Sequence, residues 1–528
     1  MKRRLFLKAA AAGSMLPVSL NGMSVRAYAN SPLMHLLGRR TGNNDNVLVL
    51  IQLNGGNDGL NTVIPLDQYT NLTKARSNVI IQDTKVLKLN GVNGTGLHPA
   101  MTGLQSLYNN GLVNIVQDVG YPNPNFSHFR STDIWMSGSD TTENWTTGWM
   151  GRYLDAQFPG FPDGFPNTGA PDPPAIQIGG MVSLATMGTS VNMAMAITDP
   201  SNFYSLVNGS SDPVPNTPAG RELEFLRIMA NQTNQYGASI KSAAGKATTL
   251  STKDPTGNNL ADQLKIVARL IKGGLKTQVY MVSIGGFDTH SQQVDNSDHS
   301  LGAHATLLQR VSDAILAFQD DLTLMGIQDR VAGLTFSEFG RRIMSNGSVG
   351  TDHGAAAPMF AFGTGVQKGI IGRNPVIPDT VTVNDNVPMQ YDFRQVYASA
   401  LQDWFGLSKT EVKAAMGGKD FNTLPVFKAS PMGIDDFADL VSRLHLHDVY
   451  PNPVSGEATF KFFTDGGNVE LCLFDPLGNR IRTMASGKHG MGEHEVRVDL
   501  RGLRPGNYFY QLSQGNRKYT KVVVVNSL

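Results

Sequence analysis

Carboxylates and imidazoles stand together at three places where an apolar run gives way to a loop. The run Val331 to Phe336 has the length and composition of a buried strand and stops at Ser337-Glu338. Arg341 and Arg342 follow, and a loop rich in Gly and Asn returns to Thr351-Asp352-His353-Gly354. A second run, Val279 to Ile284, ends in Gly285-Gly286-Phe287-Asp288-Thr289-His290. Asp288 and His290 are two apart, so an extended backbone turns them to one side. A third run, Val47 to Leu53, leads into Asn54-Gly55-Gly56-Asn57-Asp58-Gly59, which puts Asp58 just past its end. Such side chains, gathered at the carboxyl edge of a parallel sheet, suit a divalent cation. Each cluster also has a plainer reading. Glu338 pairs with an arginine, Asp352 and His353 cap a turn, and Asp58 is a turn residue beside glycine.

Residues 112–119 read as a further strand, stopped by the prolines of Tyr121-Pro122-Asn123-Pro124. Ser127 is then placed to open a helix reaching Trp135, with His128 and Arg130 beside it. A serine there is a plain helix cap. It is also a nucleophile position, because free N–H groups and the helix dipole favour an oxyanion or phosphate. The Gly55-Gly56 loop is not a phosphate loop, since no Gly-Lys-Ser/Thr follows.

Strands alternating with helices must carry these clusters. Helices are expected from His98 to about 109 and over 221–246, 259–271, 301–324 and 391–405, with a strand over 359–362. His299 and His304 are expected at the surface or behind the site. Residues 160–220, rich in Pro, Gly and Asn, read as a long irregular insertion with short strands, roofing the strand ends. From residue 445 the texture changes to alternating runs at 458–463, 469–474, 493–500, 507–512 and 519–525, separated by turn signals. That is a small β-sandwich.

The 528 residues are 41% hydrophobic and 16% charged, enough for two or more domains. With Lys+Arg at 44 against Asp+Glu at 43, nothing favours nucleic acid or an acidic partner. The single cysteine, Cys472, excludes an intrachain disulfide and reads as a buried apolar residue. The N-terminus is an address. Arg3-Arg4-Leu5-Phe6-Leu7-Lys8 resembles the twin-arginine export motif, a weakly apolar segment follows, and Ala27-Tyr28-Ala29 fits a cleavage site. No other stretch reaches the roughly 18 apolar residues that span a bilayer.

Taken together, Gly55-Gly56-Asn57-Asp58-Gly59-Leu60-Asn61, Ser127-His128-Phe129-Arg130-Ser131, Gly286-Phe287-Asp288-Thr289-His290, Ser337-Glu338-Phe339-Gly340-Arg341 and Thr351-Asp352-His353-Gly354 resemble the DUF1501 family, a branch of the alkaline phosphatase and sulfatase superfamily. The resemblance implies an α/β/α sandwich with a mostly parallel central sheet. It also implies metal-assisted attack on a phosphate or sulfate ester, small or polysaccharide-borne. In that scheme Asp58, Asp288, His290, Glu338, Asp352 and His353 hold a divalent cation (Zn, Ca, Mg or Mn). Ser127 is the nucleophile position with Ser131 as fallback, and Arg130 or Arg341 holds the anion. Two features depart from the superfamily pattern. Phe339 stands where an Asp-His pair would place a ligand, and the Asp288-x-His290 spacing is shorter than Asp-x-x-x-His. Tyr450-Pro451-Asn452-Pro453, Phe474-Asp475-Pro476-Leu477-Gly478 and Leu503-Arg504-Pro505-Gly506-Asn507-Tyr508 resemble the type A sorting domain of type IX secretion. The expected partition is a signal over 1–29, a tail over 30–44, the α/β domain over 45–407, a linker over 408–444 and the sorting domain over 445–528. The expected partners are the ester substrate, the twin-arginine translocon and the type IX machinery. The two expected functions are an exported metal-dependent ester hydrolase and a non-catalytic surface protein that binds a glycan or anionic polymer.

Overall fold

The structure is a computed structural model that describes residues 45–200, 217, 233–428 and 445–526 except 465, 477, 491 and 516, with the backbone of 18–20 and 23–25. Arg3-Arg4, the cleavage site and the tail therefore lie outside the described residues, as do 221–232 of an expected helix and most of the linker's second half. The chain forms two units, 43–430 and a second comprising 431–528 with the N-terminal 42 residues.

The larger unit is built on a nine-stranded sheet. Its strands are β1 (Val47–Leu53), β2 (Val113–Gly120), β3 (Ala175–Ile178), β4 (Ala194–Ile197), β5 (Val279–Ile284), β6 (Val331–Phe336), β9 (Ala357–Phe362), β10 (Gly369–Ile371) and β11 (Tyr391–Asp392); a separate hairpin pairs β7 (Arg341–Ser345) with β8 (Thr351–His353). The order across the sheet is β10-β2-β9-β6-β1-β5-β3-β4, with β11 also on β2. β1 lies parallel between β5 and β6, and only β9 runs antiparallel to its neighbours. Every residue of β1 is buried, which is why its sequence is a continuous apolar run. Its side chains alternate between two cores. Val47, Val49, Ile51 and Leu53 face the helices Thr102–Asn109, Asn259–Lys272 and Ala303–Leu324. Leu48 and Leu50 face Trp135, Trp149, Tyr153 and the helix Phe393–Ser399. The result is the expected α/β/α sandwich.

Several expected boundaries shift. The helix expected from His98 starts at Thr102. Tyr391–Asp392 pairs with β2, and Asp392 caps a helix that starts at Phe393 and finishes as a π-turn over Ala400–Trp404. In the described part of the insertion, β3 and β4 extend the sheet edge in parallel rather than roofing the strand ends. The helix Lys409–Ala415, expected in a linker, buries Val412 and Ala415 in the same core as Trp404, and Val426 and Phe427 join them.

Residues 445–526 form two antiparallel sheets, one of three strands including Glu457–Thr464 and Gly492–Asp499, the other of four. Val469, Leu471, Tyr510, Leu512 and Val523 lie in their core, and Cys472 is buried as expected. A strand absent from the sequence reading, Arg480–His489, forms one edge. Most of it is exposed, so it lacks the apolar alternation that marks its neighbours.

Candidate functional site

Leu53 pairs with Ile284 and Gln52 with Phe336, so β1, β5 and β6 end level with one another. The loops that leave them meet because two glycines let them. Gly55 has φ +123° and Gly56 φ +82°. A Cβ on the first would fall 2.3 Å from the Asp288 backbone nitrogen, and one on the second 2.3 Å from the Phe339 ring.

Asp288 is the hub of the cluster that results. Its Oδ1 lies 3.2 Å from His290 Nε2 and 3.1 Å from His353 Nε2, and its Oδ2 lies 3.5 Å from His128 Nε2. Arg341 Nη2 donates to Oδ1 at 2.7 Å. Each imidazole is also held from behind through Nδ1. His128 meets Glu338 Oε1 at 2.8 Å, His290 meets Asp352 Oδ1 at 3.0 Å, and His353 meets the Phe126 carbonyl at 2.8 Å. Carboxylates and carbonyls accept only, so each Nδ1 carries the hydrogen. All three Nε2 atoms then point at Asp288. Beneath them Phe339, 1% exposed, packs its ring 5.0 Å from His128 and 4.5 Å from His353.

Partial burial opposes ionisation of Asp288, but the Arg341 guanidinium outweighs it and holds the carboxyl at about 2. Hydrogen bonds from Asn346 and His290 keep Asp352 below the usual carboxylate value. Burial, with Arg341 nearby, lowers His353, so this imidazole is neutral at pH 7. A neutral ring with its hydrogen on Nδ1 presents a bare lone pair at Nε2. That lone pair faces an ionised oxygen 3.1 Å away, an arrangement that is repulsive until positive charge lies between them.

The donor atoms of His128, Asp288 and His353 all lie within 4.8 Å of one another. Ligands about 2.0–2.1 Å from a tetrahedral cation stand about 3.3–3.4 Å apart, close to the 3.1–3.5 Å spread around Asp288. The residues fit a divalent cation that accepts imidazole.

Of the residues singled out from sequence, Asp288, His290 and His353 meet here. Glu338 and Asp352 come to the same place but stand behind imidazoles. Asp58 does not face the cluster. It is 1% exposed, bonded to Arg76 Nη1 and to Gln293 Nε2. Ser127 caps the helix His128–Ser137 with extended backbone and no side-chain cap bond, and it is exposed next to His128. Ser131 is buried, 2.6 Å from the Tyr121 hydroxyl. Arg130 turns away, its Nη2 donating to the carbonyls of Asp140, Thr141 and Glu143. Arg341 is 1% exposed, spent on the carbonyls of Gly55, Gly56, Phe287 and Thr351 as well as on Asp288. Arg341 is therefore not free to grip a substrate anion, and Arg130 has its Nη2 engaged by the loop 140–143. His304 is wholly buried, its Nε2 3.0 Å from Asn57 Oδ1. His128 is the site residue that sequence reasoning passed over; its only signal was its place at the first turn of the helix after Ser127.

A family model described as protein of unknown function (DUF1501) matches residues 103–416, and one described as secretion system C-terminal sorting domain matches residues 448–526. No curated protein matches the chain. Among solved structures, similarity is found to a protein in the alkaline phosphatase superfamily from Vibrio parahaemolyticus (10% identity, 100% of this chain and 92% of that one, TM-score 0.30). A sulfatase from Pseudoalteromonas sp. is also similar (11%, 88% and 86%, 0.30), as is a phosphonate monoester hydrolase from Silicibacter pomeroyi (9%, 90% and 89%, 0.27). At these values the likeness carries nothing about chemistry. The sorting domain makes this an exported protein, and among the described residues no helix is long and apolar enough to cross a membrane.

Proposed function

The chain belongs to the DUF1501 family, and we propose that it is an exported hydrolase of phosphate or sulfate esters that uses a divalent cation held by His128, Asp288 and His353, with His290 against the same carboxylate. The observation that carries this reading is the convergence of three Nε2 atoms on one ionised carboxylate. The cation, when bound, would polarise an ester oxygen and lower the pKa of a neighbouring hydroxyl or water.

This chain's own residues supply the rest. Ser127 offers an exposed hydroxyl not committed to capping its helix. The first turn of that helix leaves N–H groups free for an anionic oxygen, and the helix dipole adds to their attraction. Phe339 excludes water from beneath His128 and His353, which strengthens every charge interaction above it. Arg341 fixes Asp288 while bracing the Gly55-Gly56 loop.

The test is elemental analysis of the exported protein, with hydrolysis measured on aryl phosphate and aryl sulfate panels. Bound metal at about one equivalent and turnover of one ester class are expected, both lost in Asp288→Ala. A protein free of metal, with Asp288→Ala indistinguishable from wild type, overturns the reading. A second reading, glycan binding without catalysis, has one observation in its favour: Phe129, next to His128, is 87% exposed and offers a face for a sugar ring. There Phe129→Ala abolishes glycan-array binding and Asp288→Ala does not.

A further inference from the structure

We propose that Glu338 and Asp352 are positioning residues rather than cation ligands, each fixing the hydrogen of one histidine on Nδ1 and so aiming its Nε2 at Asp288, the carboxylate at the centre of the cation site. This rests on the metal-site reading above and adds to it how the donor set is held. A carboxylate oxygen has two lone pairs, and on both residues the inward oxygen has spent both. Glu338 Oε1 accepts from the Gly55 backbone N–H and from His128 Nδ1, each at 2.8 Å. Its Oε2 lies 3.3 Å from the Ser337 hydroxyl, and the residue is 3% exposed. Asp352 Oδ1 accepts from His290 Nδ1 and from Asn346 Nδ2, each at 3.0 Å. Asn346 Nδ2 also donates to the His290 carbonyl at 2.9 Å, so one amide braces both ends of that pair.

The three imidazoles are therefore held unequally. His128 and His290 are backed by carboxylates, whereas His353 is backed by the neutral carbonyl of Phe126. A carboxylate behind an imidazole fixes its tautomer and makes the opposite nitrogen a better donor. Glu338 does a second thing. Through Gly55 and His128 it ties the loop after β1 to the first turn of the helix His128–Ser137, elements more than seventy residues apart in sequence.

The experiment uses the full-length protein with isotope-labelled histidine. Nitrogen NMR of the metal-free form reads which ring nitrogen of each histidine carries the hydrogen, and calorimetry with Zn(II) reads affinity. In the wild type, His128 and His290 are expected with hydrogen on Nδ1. Glu338→Ala should move His128 toward the other tautomer and weaken Zn(II) about 10- to 100-fold. Glu338→Gln, whose amide oxygen can still accept from Gly55 and His128, should keep the tautomer and recover part of the affinity. Should Glu338→Ala fail to fold, Asp352→Ala, at a half-exposed position, gives the same two readouts on His290. Wild-type His128 and His290 with hydrogen on Nε2, or alanine variants with unchanged tautomer and unchanged Zn(II) affinity, overturn the proposal. A wild type that binds no Zn(II) but shows the Nδ1 tautomer, lost in the alanine variants, removes the hydrolase reading while leaving the positioning intact.

Discussion

Asp58 and Arg76 form an ion pair at 2.9 Å with both side chains at 1% exposure or less. Gln293 donates to the same carboxylate at 2.6 Å, and Arg76 also donates to the carbonyls of Ile343 and Arg342. Removing one partner strands a buried charge, so Arg76→Ala or Asp58→Ala is expected to lose about 3–5 kcal/mol in denaturant unfolding. Asp58→Asn should fold and bind metal as the wild type does, because Asp58 does not touch the cluster. Burial opposes ionisation of Asp58, yet Arg76 and its other partners hold its pKa below the ordinary 3.8. The folded value is depressed, so the pair's stabilisation is present above the unfolded pKa and disappears as pH falls through the folded one. Stability measured from pH 5 downward should drop less steeply in Asp58→Asn.

Asp118 is the opposite case. It lies at φ +50° at the end of β2, 4% exposed, and burial lifts its carboxyl to about 7 against a single strong donor, Gln390 Nε2 at 2.6 Å. Between about pH 4 and 7 the folded chain binds a proton that the unfolded chain has lost. Stability therefore falls as pH rises through this window, by up to about 4 kcal/mol. Asp118→Asn should flatten that slope and unfold at higher denaturant than wild type at pH 8. An unchanged slope would mean that Asp118 is ionised at neutral pH.

The strands that carry the site were legible because each is a buried apolar run followed by small or polar residues: Val47–Leu53, Val279–Ile284 and Val331–Phe336 have the bounds that their apolar runs indicate. What these strands deliver was legible to the level of the loop and not of the side chain. Asp58 and Asp288 look alike in sequence, each an acid after two glycines. Asp58 is drawn inward by Arg76, whose position just past the short helix Tyr69–Ala75 no local pattern announces. Arg130 and Arg341 looked like anion holders, but loop carbonyls take Nη2 of Arg130 and all three nitrogens of Arg341. His128 was hidden by its neighbour, since a serine at a helix start draws attention as cap or nucleophile.

His353 should matter to metal binding in a way that His304 does not. His353 Nε2 belongs to the cluster around Asp288, whereas His304 is buried with its pKa lowered to about 4 by desolvation. His353→Ala is expected to reduce bound metal by more than the about 10- to 100-fold that loss of an outer partner brings, with little change in unfolding midpoint. His304→Ala should do the reverse, destabilising the fold by about 0.5–1.5 kcal/mol through loss of one of the two bonds to Asn57 Oδ1, the Thr62 hydroxyl remaining. Equal metal content in the two variants would place the cation elsewhere.

Ser127 and Ser131, four residues apart on the same turn, separate catalysis from packing. Ser127 makes no side-chain cap bond and its side chain is exposed, so Ser127→Ala removes a hydroxyl that the fold does not use. Its unfolding midpoint should stay within about 0.5 kcal/mol of wild type, the range for surface substitutions. If this hydroxyl is the nucleophile, ester turnover should fall to near background while metal content is kept. Ser131 lies 2.6 Å from the Tyr121 hydroxyl, inside the turn that leads from β2 to the helix. Ser131→Ala removes one of three bonds of that hydroxyl, which keeps the Asn125 N–H and carbonyl, at about 0.5–1.5 kcal/mol of stability, with turnover changed only as far as the helix start is disturbed. A folded, metal-loaded Ser127→Ala that retains full turnover would move the attacking group from the chain to a water molecule at the cation.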